Sequence, residues 1–452
     1  SIFRADGTAA DVTVNNITAG VVTATTFSGN VSGGNVTIAN DLTVNGDVTL
    51  GDTLASDEVA FNSKVNTNLL PSTNGNKNLG SSGNRWGEVH AATFHGSGAN
   101  LTNLSAGAAS YNAVINGEML VSQRGSDFTG VNSSAYHLDR WYLYYQNSSA
   151  AFRIRHSALS PDGFHQSYRV NVTTADTSIA SNEEVKLYQK IEGFNLQRFA
   201  KGTSGAKAFA LSFYIKCNKN GTYIVELYDR DNGRDVSGSY TVSNSDWNRH
   251  TIIFPADTTG EFDFDNSSSL EISWWLVAGS DTNSGTLGTT WAASADSGSA
   301  TGQVNFTDST SNEWMLAGVQ LETDFVTPFE HIQYGEELAR CQRYYFRMIP
   351  SNNGFYGVGN IDGGNQGQIL VNFPTEMRVK PTSLETTGTA TDYILRVTTN
   401  VNCTGVPTID TTAPDNALVI PPSSSHGHTD KSGAFLRAGS DSSFLGFAGA
   451  EL

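Results

Sequence analysis

Basic residues, sulfur and long apolar runs are all scarce in this chain of 452 residues. Lys and Arg number 27 against 44 Asp and Glu, a formal charge of −17. Neutralising phosphates needs a Lys/Arg stripe, and no long basic cluster occurs, so nucleic acid is not an expected ligand. The acidity serves to keep an elongated assembly soluble. No stretch reaches the roughly eighteen consecutive apolar residues of a spanning helix, and the N-terminus carries no basic and hydrophobic signal pattern. Neither membrane insertion nor ordinary secretion is therefore expected. The 3 cysteines, Cys217, Cys341 and Cys403, are odd in number and far apart. Reduced thiols follow, which suits synthesis in a host cytoplasm. Gly-x-Ser-x-Gly, zincin and phosphate-loop signatures are also missing, so no enzyme class is indicated.

What is present separates into three regions by composition. Residues 1–109 are rich in Gly, Ser, Thr, Asn and Asp, with isolated apolar residues at alternate positions: Val12 and Val14, Val36 and Ile38, Leu42 and Val44, Val48 and Leu50. One such chain covers only a weak apolar stripe, too little to offset about 1–2 kcal/mol of backbone ordering per residue. Strands that share their stripe with copies of the chain satisfy both the alternation and the energetics. The phrase "ATTFSGN" at residues 24–30 returns as "AATFHGS" at residues 91–97, so Phe27 and Phe94 are each followed two positions on by Gly29 or Gly96.

Aromatics then rise abruptly. Over residues 110–333 short alternating segments such as "RWYLYYQ", "AFRIRH", "FALSFYIKC", "TYIVELYD" and "LEISWWLVAG" alternate with polar turns. The pattern predicts an all-β sandwich of jelly-roll type. "YGEELARCQRYY", residues 334–345, predicts a bridging helix, with Leu338, Cys341 and Tyr345 on one face, acids early and arginines late. Residues 346–452 return to strands and predict a smaller C-terminal β domain.

The segments "AATFHGSGANLTNL" and "NLGSSGNRWGEVHAATF" resemble shaft segments of bacteriophage tail fibres, particularly those of marine phages of the cyanophage-like kind. "NGEMLVSQRGSDF", "LDRWYLYYQ", "QLETDFVTPFEHIQYGEELARCQRYYF" and "NFPTEMRVKPT" resemble the receptor-binding region of the same class. The resemblance implies a parallel homotrimer, an interlaced shaft with Phe27 and Phe94 as aromatic layers on the three-fold axis, attachment to other phage tail proteins, and location in the virion. It also implies adhesion to a bacterial surface polysaccharide or lipopolysaccharide. Two alternatives stay open: a depolymerising tail spike, and a purely structural connector or shaft.

Glycan contact calls for aromatic faces flanked by hydrogen-bonding groups. Strand alternation in "DRWYLYYQ" puts Trp141, Leu143 and Tyr145 on one face and Arg140, Tyr142, Tyr144 and Gln146 on the other. In "EISWWLVAG" it puts Ile272, Trp274 and Leu276 in the core and leaves Trp275 outside. Tyr142, Tyr144 and Trp275 are thus the candidate glycan contacts, with packing of Trp275 against a loop or neighbouring subunit as the other reading. "YDRDNGRD" carries Asp229, Asp231 and Asp235 around Gly233, a calcium-loop fragment without the distal Glu, and reads first as a hairpin turn. His426 and His428 in "SSSHGHTDK" would supply six imidazoles to an axial metal in a trimer; a solvent loop is the alternative, and no other cofactor is expected. No paired catalytic acids stand out, since Glu183, Glu184, Asp263 and Asp265 are scattered.

Overall fold

The computed structural model describes residues 111–452, except residue 364 and residues 425–428, together with the isolated positions Gly83, Trp86, Gly87 and Val89. Apart from those four positions, the region 1–109 expected to form a shaft, with Phe27 and Phe94, lies outside the described residues, as does the His426/His428 pair.

The first part of the fold is a β-sandwich. Its strands are β1 (Asp127–Val131), β2 (Ala135–Tyr136), β3 (Tyr142–Gln146), β4 (Ala151–Ser157), β5 (Ser167–Thr174), β6 (Glu184–Glu192), β7 (Phe209–Cys217), β8 (Gly221–Asp229), β9 (Arg234–Val242), β10 (Asn248–Phe254), β11 (Ser268–Ala278), β12 (Ala292–Ala293) and β13 (Glu313–Thr323). They form a six-stranded sheet in the order β1-β4-β5-β13-β7-β10 and a seven-stranded sheet in the order β12-β9-β8-β11-β6-β3-β2. Inward residues alternate with outward ones along each strand. Trp141, Leu143, Val185, Leu187, Ile272, Trp274, Phe213 and Trp314 meet in one core. Trp274 lies 5.6 Å from both Trp141 and Phe213, ring centre to ring centre. Truncating any of these aromatics to Ala would cost about 3–5 kcal/mol.

A second core lies beyond residue 345. There β14 (Phe346–Met348), β15 (Phe355–Asp362), β16 (Gln366–Asn372), β17 (Ser383–Glu385), β18 (Tyr393–Arg396), β19 (Asn400–Asn402), β20 (Thr408–Thr412), β21 (Asn416–Ile420), β22 (Gly433–Ala438) and β23 (Leu445–Ala448) make a three-stranded sheet, β14-β23-β17, and a seven-stranded sheet, β19-β18-β22-β15-β16-β21-β20. Tyr356, Ile369, Tyr393, Leu395, Leu436 and Phe447 fill this core.

The helix between them, α1 (Tyr334–Gln342), is shorter than the expected 334–345. The chain turns at Arg343, and Tyr345 leads into β14. Cys341 and Leu338 share a small cluster with Ile115, Val121 and Tyr344. Tyr345 instead donates to Glu385 at 2.7 Å and stacks under the Arg124 guanidinium. The buried Glu192 of β6 receives both Nε and Nη2 of Arg343 at 2.9 Å and the Tyr344 hydroxyl at 2.5 Å. The end of the chain folds back onto the same place: Glu451 pairs with Arg140 at 2.5 Å, and the Leu452 carbonyl accepts from Tyr136 at 2.9 Å.

Asn116 organises the sandwich side of this joint. Its backbone is left-handed, at φ 56°. Its side-chain amide donates to Val121 and Asp139 carbonyls, its Oδ1 accepts from the Val121 amide, and its own carbonyl accepts from the Trp141 indole. Gly117 follows because a Cβ there would stand 2.1 Å from the Val319 carbonyl oxygen.

Candidate functional site

The outward face of the seven-stranded sheet of the sandwich is a grid fixed by strand register. One row runs Tyr136, Tyr142, Tyr188, Ser273, Glu226, Ser237 across β2, β3, β6, β11, β8 and β9. The row beside it holds Tyr144, Lys186 and Trp275, and on the other side stand Lys190, Glu271, Tyr228 and Asp235. Tyr142 stacks on Tyr188 with ring centres 4.9 Å apart at 26°, and Tyr136 meets Tyr142 edge-on at 4.7 Å.

Half of this face is roofed. The segment between β11 and β13 folds back over β8 and β9, where Ser237 donates through its amide to Gly288 O and through its hydroxyl to Ser299 O. Trp275 packs beneath it with Ile224, Ala300 and Leu287, and is 1% exposed. The alternation placed Trp275 correctly outside the main core, but the roof leaves its ring no open face. A register shift after Trp275 then returns Val277 to the core. Arg140, expected beside Tyr142, precedes β3 in a left-handed conformation at φ 72° and is buried in the joint over Tyr344.

The open half is Tyr142, Tyr144, Lys186, Lys190 and Tyr228, all partly exposed, around the edge of Tyr188. The Lys186 ammonium lies 3.7 Å from Glu226, 3.6 Å from Glu271 and 4.6 Å from the centre of the Trp275 ring. These ion pairs are too long for hydrogen bonds. The Tyr142 and Tyr188 hydroxyls and the Lys190 ammonium make no hydrogen bond or ion pair with any described residue, so their polar tips are available to a ligand, whereas Lys186 is held by its two carboxylates.

Electrostatics sharpen the centre of the grid. Burial raises the Glu226 carboxyl to about 7, with the Glu271 charge adding and Lys186 opposing. Its Oε2 accepts the Trp275 indole N–H at 3.1 Å. Burial likewise raises Glu184, whereas it lowers Lys190, helped by the nearby Arg230.

The other sequence candidates go elsewhere. Asp229 ends β8, Asp231 lies in the β8–β9 turn and Asp235 lies in β9, and the three do not converge. Asp229 faces the buried Lys201 ammonium at 2.5 Å, Asp231 accepts from the Asp263 amide, and Asp235 accepts from Ser299. Lys201 is also held by Asp257 at 3.1 Å and by the Thr259 and Gly260 carbonyls at 2.9 and 2.8 Å. Sequence reading missed β6 and with it Tyr188, Lys186 and Lys190. The available signal was the inward series Val185, Leu187 and Ile191, which charged outward neighbours obscured.

Neither a known protein-family profile nor a curated protein sequence matches this chain. Solved structures with a similar β arrangement include the enzymatically active domain of tailspike protein 4 of bacteriophage CBA120, at 12% identity and TM-score 0.25, spanning 47% of this chain and 21% of that one. TmCBM61 in complex with β-1,4-galactotriose aligns at 10% identity and TM-score 0.24, over 48% of this chain and 100% of that module. The CBM22-1 xylan-binding domain of Paenibacillus barcinonensis Xyn10C aligns at 11% and 0.22, over 44% and 94%. The chain thus spans about a fifth of the tailspike domain, and at these scores none of the likenesses carries from fold to function.

Proposed function

We propose that this chain is a phage tail-fibre protein that adheres, without cleaving, to a bacterial surface glycan through the open tyrosine half of the sandwich face. The observation that carries the reading is the coincidence of stacked aromatic rings with three unpaired polar tips, on Tyr142, Tyr188 and Lys190, beside the ion-paired Lys186. Sugar rings present apolar C–H faces and a rim of hydroxyls, and such a surface matches both. In this proposal residues 1–109 form the trimeric shaft in the virion, 110–333 bind the glycan, 334–345 bridge, and 346–452 form the tip. Three sites per fibre raise avidity through effective concentration, so weak single sites suffice.

A depolymerase is the second reading, favoured by Glu226 and Glu271. Both carboxylates lie within 3.7 Å of the Lys186 ammonium, and one titrates near neutrality. Incubating the full chain with candidate host cells and their extracted polysaccharide, while following binding and polysaccharide chain length, separates the two. Binding with unchanged chain length is the expected result. Shortened chains would assign the site to hydrolysis or lyase chemistry, and neither binding nor shortening would sink both readings.

A further inference from the structure

The opposite side of the same sandwich carries a charge arrangement that the tyrosine face does not explain. On the outward face of the six-stranded sheet, register lines up Asp127, Arg155, Arg169, Met315 and Lys216 across β1, β4, β5, β13 and β7. The adjacent row is Arg153, Asn171 and Glu313. Four cations therefore share this patch with two carboxylates, on a chain whose formal charge is −17. Like charges directly opposed on neighbouring strands are destabilising, and Arg155 sits directly opposite Arg169.

Both carboxylates are already engaged. Asp127 takes Arg153 through Nε and Nη2 at 2.8 and 2.5 Å. Glu313 accepts from Arg169 Nε and from the Asn171 amide, each at 2.7 Å. Arg155 is left with a single hydrogen bond, from Nη2 to Asn171 Oδ1 at 2.6 Å, while its enclosed Nε has no partner. Lys216 has neither a carboxylate nor a hydrogen-bond partner among the described residues. Burial and the two neighbouring arginines lower the Arg155 proton affinity, the direction an unfilled cationic site produces. Beside Lys216 opens a depression of about 270 Å³, lined also by Asn171, Cys217, Asn218, Ser245, Ser311 and Glu313; Arg155, on β4 with β5 and β13 between it and Lys216, reaches its edge through Asn171.

We propose that the unpaired cations Arg155 and Lys216, on strands with β5 and β13 between them, form a second ligand surface, separate from the tyrosine face, that takes acidic groups spaced along a polysaccharide, carboxylates or phosphate esters. A guanidinium presents paired donors to either oxyanion, and the ammonium adds a point charge. The amides and hydroxyls of the depression match the hydroxyls of the ring that bears the acid. The sugar around the anion rests on the glycan reading above, whereas the anion site stands on its own residues. The chain would thus read an acidic polysaccharide on two faces, one by stacking and one by charge.

The test is binding of the full chain to immobilised polygalacturonate, to phosphomannan and to neutral dextran, at low and high salt. Net acidity opposes unspecific capture of polyanions, so retention would report a local site. The expected result is salt-sensitive binding to at least one acidic polymer and none to dextran. Which polymer is held tells carboxylate from phosphate. The double variant Arg155→Gln with Lys216→Gln should weaken that binding about tenfold or more, at a melting temperature no lower than the parent's because the opposed Arg155–Arg169 charges are relieved, and Arg155→Lys should retain part of it. Tyr142→Ala should leave it intact, and this separates failure of the tyrosine-face reading from failure of this one. No binding of either acidic polymer at low salt, or equal binding by the double variant, overturns the proposal.

Discussion

Tyr188 shows how a residue almost wholly covered by its neighbours can still matter to a binding face: at 7% exposure it is the ring on which Tyr142 stacks. Tyr142→Ala should weaken glycan binding about tenfold by removing the outer ring, as truncations of binding-site aromatics do. Tyr188→Phe should keep the stack and lose only a hydroxyl contact. Equal affinity of Tyr142→Ala and parent in a polysaccharide titration would move the site off this face. Glu226 makes a separate prediction about pH. Folded, it holds its proton up to about 7; unfolded, it releases it near its ordinary value of 4.5. Between these limits the unfolded chain binds fewer protons, so this group's contribution to stability falls as pH rises, and it stays lost above 7. The melting-temperature difference between Glu226→Gln and parent should therefore move in favour of Gln from pH 4 to pH 8, and a difference independent of pH would contradict the buried-acid account. Lys201 carries an expected loss as large as that of a core aromatic. Its ammonium sits among two carboxylates and two carbonyls with its side chain 0% exposed, and Lys201→Met would strand Asp229. A loss of about 3–5 kcal/mol is expected in urea unfolding.

Elements were legible in the sequence in proportion to how cleanly their two faces differ. The alternation in β3, β7, β8, β11 and β13 could be read directly, because inward Leu, Phe, Ile and Trp stand between polar or small neighbours. β6 and β9 were not, for different reasons. The outward positions of β6 are Lys186, Tyr188 and Lys190, so its alternation reads as a mixed charged segment; β9 carries Gly238 and serines where a strand usually shows large residues. Half of the candidate site sits on β6, so the site was legible only through Tyr142 and Tyr144. Trp275 failed for another reason: strand alternation reports which face a side chain takes, while the roof over that face comes from a turn-rich segment with no periodic signal. The joint was visible only as quoted motifs. "NGEMLVSQRG" and "LDRW" lie far from "ELARCQRYY" in sequence, yet Asn116 meets Glu337 and Arg140 meets Tyr344 around α1. Gly117→Ala tests that joint. Its Cβ would enter the space of the Val319 carbonyl, so a loss on the order of 1–3 kcal/mol is expected, and a variant as stable as the parent would show that the joint yields easily.

At the scale of the whole molecule the question is why about a hundred residues with so little to bury should be retained ahead of two well-filled cores. Alternation without bulk is economical only when several chains contribute to one interior, and the proposed trimer supplies that condition. In that proposal adhesion would gain from the same arrangement, because a rigid joint between the two cores would hold the sites of one chain in fixed relation while the shaft would hold three chains together. The two aromatic repeats make this testable without any knowledge of the ligand. Phe27→Ser and Phe94→Ser each remove one proposed axial layer and should lower the melting temperature of the assembled protein, with the double variant shifting its solution mass toward the single chain. Residues 111–452 carry their own cores, so a second, higher transition belonging to them should survive in every variant. If mass and both transitions are unchanged in the double variant, Phe27 and Phe94 do not hold the chains together, and the repeat needs another explanation.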